Sequence, residues 1–119
     1  MSLLEIQDLE VIFPTLWGTV RAVNHVDFRQ EAAETVGLVG ESGAGKSMLG
    51  RALMGLIPYP GRIPEGQIFW KGKDLLKKSE KEMRKIRSRE IAMVFQDPIS
   101  ALNPLKKIGD QLTDAVFLY

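Results

Sequence analysis

The eight residues 40–47, GESGAGKS, constrain the fold of this chain more than any other segment. They match the phosphate-binding pattern GxxxxGK[ST] at every fixed position. The short apolar run at 35–39 precedes them, and the apolar residues within 46–56 that follow have helical spacing. An uninterrupted apolar run is typical of a strand covered on both faces in a parallel sheet. The sequence therefore predicts a strand, a glycine loop and a helix in the order that this motif requires.

This loop predicts the binding of phosphates. Backbone N–H groups converge on phosphate oxygens at a helix N-terminus, and glycines permit the close approach and the necessary dihedral angles. We expect Lys46 to contact the β- and γ-phosphates and the Ser47 hydroxyl to ligate a bridging Mg²⁺, whereas the Glu41 carboxylate should point away. The predicted cofactor-binding residues of this segment are Gly40, Glu41, Ser42, Gly43, Ala44, Gly45, Lys46, Ser47 and Met48.

Apolar periodicity predicts an antiparallel hairpin before the loop. Residues 3–13 and 20–28 place apolar side chains at strand spacing, and a loop over 14–18 separates them. Asn24 and His25 interrupt the second strand, as a bulge would. We expect a structural or surface role for His25, the single histidine of the chain.

Further elements follow the glycine loop and its helix. The sequence predicts a Pro/Gly-rich linker over 58–66, strands at 67–70 and 91–95, and helices at 79–89 and 105–119. Ser79 and Glu82 form a capping-box pattern at the start of the first of these helices. Strands and helices thus alternate from residue 35 onwards, which favours an α/β fold.

Composition narrows the classes of function. The chain has 119 residues, no Cys and a formal net charge of +1. Disulfides, thiolate metal sites and Cys nucleophiles are excluded, and near-neutral charge argues against a nucleic-acid partner. No apolar run approaches the roughly 20 residues of a membrane span, so we expect a chain that neither spans a membrane nor is exported. The nine basic and four acidic side chains of residues 71–90 are interpreted as a solvated helix face.

The segment MVFQDPISALNP, residues 93–104, resembles the Q-loop region of the ATP-binding subunits of ABC transporters, especially those of oligopeptide, dipeptide and nickel importers. The likeness covers the whole chain. The segments that follow the family's order and spacing are LLEIQDLEVIFPT, AVNHVDF, TVGLVGESGAGKS, GQIFWKGKDLL, SEKEMRKIRSREIAMVFQDP and SALNP. The resemblance implies that residues 1–119 form the N-terminal part of an ABC-type nucleotide-binding domain. Its fold class would be a P-loop α/β ATPase, with an antiparallel hairpin subdomain and an incomplete, mainly parallel core sheet.

The resemblance also assigns roles outside the glycine loop. It implies that Gln96 acts with Lys46 in catalysis, helps to ligate Mg²⁺ with Ser47 and positions the attacking water. A neutral amide suits this task because it can bind a metal through oxygen without titrating. The family stacks an aromatic side chain of the first hairpin on adenine. Counting back from Val26 selects Trp17, which we expect, and counting forward from the first strand leaves Phe13 as the other candidate; either could simply pack in the core.

The implied function is the ATP-binding part of an importer subunit for peptides or a related small solute. ATP and Mg²⁺ are the implied cofactors. Transmembrane permease subunits, contacted through the region of Gln96, and a second ATP-binding subunit are the implied partners, on the cytoplasmic face of the cell membrane. A non-transport ABC nucleotide-binding protein and an inactive remnant or interaction fragment are the alternatives.

Several parts of the family's pattern have no counterpart in this sequence. The LSGGQ signature, the acidic metal-binding strand, the catalytic glutamate and the switch histidine are missing, and no Asp-Glu pair follows an apolar run. We therefore expect the chain to bind nucleotide and to be nearly inactive alone. We also expect unpaired strand edges in its core sheet.

Overall fold

The structure is a computed structural model that describes residues 2–41, 45–96 and 102–118. One antiparallel sheet of four strands, in the order β2, β1, β3, β4, dominates the described residues. The strands are β1 (Ser2–Thr15), β2 (Gly18–Glu31), β3 (Arg62–Trp70) and β4 (Lys73–Asp74). The helices are α1 (Lys46–Met54), α2 (Glu80–Arg89) and α3 (Ile108–Leu118), and a single 3-10 turn spans Leu75–Lys77.

The predicted hairpin is confirmed, with longer strands and a shorter loop than predicted. Thr15 pairs with Gly18, so only Leu16 and Trp17 form the turn. Gly18 has φ 120, a backbone conformation that a glycine adopts without steric cost. Pro14 lies beyond the pairing of β1 with β3, which ends at Ile12, so its missing N–H removes no bond between those two strands.

The predicted bulge is also present. Leu9 pairs with Val26 and Val11 pairs with Val23, so between these pairs one residue of β1, Glu10, opposes two of β2, Asn24 and His25. His25 has φ 50 within this bulge, and it lies beside Asn24 as the sequence pattern indicated. Such an extra residue redirects neighbouring side chains.

The sheet supplies the core because β1 is flanked on both sides by other strands. The largest fully buried side chains are Ile6, Leu9 and Val11 of β1 and Ile68 of β3. The strand predicted at 67–70 is confirmed and begins earlier, at Arg62, within the predicted linker. The first part of the linker does remain outside helix and strand.

The segments predicted as parallel strands, 35–39 and 91–95, are not strands in the structure. Val39 and Val94 are almost fully exposed. A parallel strand depends on hydrogen bonds from neighbouring strands and on cover over both faces. The sheet formed by the described residues is antiparallel and includes neither segment, so their apolar pattern has no partner to pair with.

The three predicted helices form, with revised ends. Helix α1 ends before Gly55, whose φ of 68 suits a left-handed cap, and its last carbonyls accept bonds from the N–H groups of Gly55 and Leu56. The capping box of α2 is confirmed: the Glu82 N–H donates to Ser79 Oγ at 3.2 Å, and the Ser79 N–H donates to Glu82 Oε1 at 3.4 Å. Helix α3 begins at Ile108, later than predicted.

The chain divides after Met83 into two compact units, and the sheet and α1 belong to the first. Within the described ranges, no helix has both the length and the apolar character needed to cross a membrane.

Candidate functional site

Gly45 fixes the start of α1 against β2. It is the N-terminal cap of the helix, with φ 94 and ψ 4, a left-handed conformation that side chains disfavour. A Cβ atom placed on it would lie 2.3 Å from the carbonyl oxygen of Ala22. Only glycine therefore lets the loop approach β2 this closely. The phosphate-binding motif requires a glycine at position 45, but nothing in the motif predicts the contact with β2.

Lys46 and Ser47 are the first two residues of α1, and both are exposed. The Lys46 ammonium donates a hydrogen bond to the carbonyl oxygen of Gly40. This hydrogen bond links the two ends of the glycine loop. Ser42, Gly43 and Ala44 between them lie outside the described residues. No acidic residue occupies the first turn of α1, so the helix N-terminus and the ammonium together favour an anion.

A cleft of about 380 Å³ lies beside Lys46, between β2, residues 38–39 and α1. Most of its walls are apolar side chains, including Val23, Leu38 and Leu49. Arg21, Asn24 and Lys46 are the polar side chains that line it. A concave apolar surface with a few polar groups is typical of small-molecule sites.

A charged network borders this cleft. The Arg21 Nη1 atom donates to Glu10 Oε1 at 3.0 Å. Glu10 is buried, and its other oxygen lies 3.0 Å from His25 Nε2. The opposite ring nitrogen, Nδ1, lies 2.7 Å from Asp8 Oδ1. Each oxygen of the buried Glu10 carboxylate thus has a polar partner, as a buried charge requires.

His25 titrates within this network. Its hydrogen bond to Asp8 is the largest cause that raises the pKa of His25 above 6.5; desolvation opposes this shift, and the charges of Asp8, Glu10 and Glu65 add to it. Asp8, His25 and Glu65 also bring one potential metal ligand each within 4.8 Å of one another. Both ring nitrogens of His25 already lie within 3.0 Å of a carboxylate oxygen, so the geometry is that of an ion-pair cluster.

Gln96 is exposed and follows a segment without helix or strand. Residues 97–101 after it lie outside the described residues. It belongs to the second unit, whereas Lys46 and Ser47 belong to the first. Its role in catalysis and the shared Mg²⁺ role of Ser47 and Gln96 stay predictions.

The two aromatic candidates have different surroundings. Trp17 is 97% exposed in the hairpin turn. Phe13 is half-buried, and its ring lies so close to Gly61 that a Cβ atom there would be 2.5 Å from Phe13 Cε1. Neither side chain lines the cleft beside Lys46. Adenine stacking by either residue stays a prediction.

Sequence reasoning missed Glu10 and Arg21. The only signal was indirect: the interruption at Asn24 and His25 predicted a bulge, and the bulge places His25 within reach of two carboxylates of β1. Which strand residues face each other depends on the register, and the sequence pattern did not specify the register.

Comparisons with known proteins agree on one family. The model of the ABC transporter family matches residues 23–116. The oligopeptide transport ATP-binding protein of Bacillus subtilis is 48% identical over 116 residues, which are 97% of this chain and 32% of that protein. The dipeptide transport ATP-binding protein of the same organism is 49% identical over 116 residues, 97% of this chain and 35% of that protein. The chain thus spans about a third of the length of these curated relatives.

A solved structure extends the comparison to the fold. The dimeric structure of a bacterial ABC transporter cassette superposes with a TM-score of 0.83 at 22% identity, covering 98% of this chain and 48% of that one. This likeness confirms the predicted P-loop ABC ATPase fold class, although the parallel part of the predicted core sheet does not form among the described residues.

Proposed function

Because this chain belongs to the ABC transporter family, we propose that it forms the phosphate-binding part of an importer's ATP-binding subunit, which couples ATP binding and hydrolysis to solute uptake. The observation that carries the proposal is the geometry at the start of α1. Gly45 is held against Ala22, and Lys46 reaches back to Gly40 at a helix N-terminus without acidic residues. These features support a site for the phosphates of Mg·ATP.

Residues of the loop would share this task. The backbone N–H groups of residues 40–48 would bind phosphate oxygens, and Lys46 would neutralise the β- and γ-phosphates. Ser47 and Gln96 are proposed as the Mg²⁺ ligands through hydroxyl and amide oxygens, the donors that this hard cation prefers. When bound, Mg²⁺ would neutralise charge on the phosphates.

Peptides or related small solutes are the proposed cargo. The printed names of the relatives, oligopeptide and dipeptide transport ATP-binding proteins, support an importer over a non-transport nucleotide-binding protein. Permease subunits that contact the region of Gln96 and a second ATP-binding subunit are the proposed partners. This arrangement would place the protein at the cytoplasmic face of the membrane.

Calorimetric titration with Mg·ATP tests the binding step. We expect weak binding by the unmodified chain and no detectable binding by Lys46→Ala, because that change removes the cation on the phosphates. Lys73→Ala, which removes another exposed lysine of the first unit, should bind as the unmodified chain does. Equal ATP affinity in Lys46→Ala and the unmodified chain, with both folded by circular dichroism, would remove the basis of the proposal.

A further inference from the structure

Arg21 brings a second cationic side chain into the cleft that contains Lys46. It lies on β2 opposite Ile12, and its side chain is 54% exposed. Only one of its terminal nitrogens, Nη1, is used in the bond to Glu10. A guanidinium carries several N–H donors in a planar fork, so this bond is compatible with a second acceptor on the same group.

Glu10 is suited to hold that guanidinium in a fixed direction. Glu10 is 7% exposed, and its two carboxylate oxygens have different partners: Oε1 accepts a hydrogen bond from Arg21, and Oε2 lies 3.0 Å from His25 Nε2. A buried carboxylate with both oxygens bonded has little freedom to turn, because every other orientation leaves an unpaired buried charge. The charge-assisted bond to Arg21 therefore restrains a group at the edge of the cleft from a rigid point in the sheet.

We propose that Arg21 binds the phosphate chain of the nucleotide and that Glu10 is the positioning residue that orients its guanidinium. The inference rests on the proposed function and extends the site beyond residues 40–48. The planar donors of Arg21 match paired phosphate oxygens, whereas the Lys46 ammonium acts as a point charge. Two cations in one cleft suit the several negative charges of a nucleoside triphosphate.

Calorimetry with Mg·ATP, Mg·ADP and adenosine tests the role of Arg21. Loss of a charge-assisted bond in Arg21→Ala should weaken ATP binding by about tenfold or more. Arg21→Lys should give an intermediate loss because it keeps the charge without the fork, and adenosine binding should not change. The matched control is Arg29→Ala on the same strand. Arg29 bonds Glu31 and does not line the cleft, so this variant should bind ATP as the unmodified chain does.

Glu10→Gln tests the positioning role. The amide keeps an acceptor of similar size but loses the charge that holds Arg21. We expect ATP affinity to fall by about threefold in the unmodified background and to be unchanged when Arg21→Ala is already present, because contacts in one network are not additive. An equal loss of ATP affinity in both backgrounds would show that Glu10 does not act through Arg21 and would overturn its positioning role. Urea unfolding measures any loss of stability independently.

The outcomes separate the two proposals. If Lys46→Ala abolishes ATP binding while folded Arg21→Ala and Arg21→Lys bind ATP normally, the role of Arg21 is overturned and the proposed function stands. An equal loss of ATP and adenosine binding in Arg21→Ala would overturn the assignment to phosphate. Should Arg21→Ala fail to fold, Arg21→Lys decides, since normal ATP affinity in that variant overturns the inference. Absence of ATP binding by the unmodified chain overturns both proposals.

Discussion

At the scale of single residues, Gly45 and Glu10 show what the sequence could and could not predict. The motif contains Gly45 because its left-handed conformation is a local backbone requirement, and local requirements can be recognised in a sequence. Glu10 is buried through contacts with Arg21 and His25, which lie eleven or more residues away along the chain. The register of the hairpin decides those contacts, and composition and spacing alone do not specify a register.

His25 yields a prediction for stability at different pH values. Because the hydrogen bond to Asp8 raises its folded pKa above the unfolded value near 6.5, the protonated form stabilises the fold. This contribution is fully present below pH 6.5 and is lost as the pH rises through the raised pKa. We expect the free energy of unfolding in urea to fall over that range in the unmodified chain and to change less in His25→Asn. Asn tolerates the left-handed backbone, and His25 is the single histidine, so the difference isolates its titration. Parallel pH curves for the two proteins would contradict the assignment.

At the scale of elements, the sequence predicted the hairpin correctly, whereas the parallel strands that it predicted do not form. Alternation along β1 and β2 is enough to define two strands that pair with each other across a short turn. The apolar runs at 35–39 and 91–95 can form parallel strands only where other strands of a sheet lie beside them. Within the described part of the chain no strand pairs with either run, so neither run forms the strand that its apolar pattern favours.

The hairpin also carries the prediction for the two aromatic side chains. Trp17→Ala should weaken ATP, ADP and GTP binding alike, by roughly tenfold, because stacking accepts every base. It should cost little stability, since Trp17 is almost fully exposed. Phe13→Ala should lower the free energy of unfolding by about 2 kcal/mol through lost packing and should affect the ligand less. Leu16→Ala is the control, because Leu16 is the neighbour of Trp17 in the turn and is equally exposed.

Calorimetry and urea unfolding on the same variants decide between the two residues. Reduced ATP affinity in a folded Phe13→Ala protein, together with normal affinity in Trp17→Ala, would assign adenine stacking to Phe13. That result would match a count forward from β1 rather than back from Val26.

At the scale of the whole molecule, the proposed phosphate site and the proposed role of Gln96 involve both compact units. Lys46 and Ser47 lie in one compact unit and Gln96 in the other. The chain corresponds to 32% and 35% of the length of two relatives. Phosphoryl transfer depends on groups held in place around the phosphate, so binding and turnover need not accompany each other in this chain.

A measurement of ATP turnover should therefore distinguish nucleotide binding from catalysis in this chain. We expect phosphate release by residues 1–119 at saturating Mg·ATP to equal that of the Lys46→Ala control, because the sequence contains no Asp-Glu pair after an apolar run and no second glycine-rich loop. Steady-state release of inorganic phosphate measures this directly. Robust turnover that disappears in Lys46→Ala would mean that another carboxylate of the chain orients the attacking water. Variants of the acidic side chains of the chain, tested one at a time, would then identify that carboxylate.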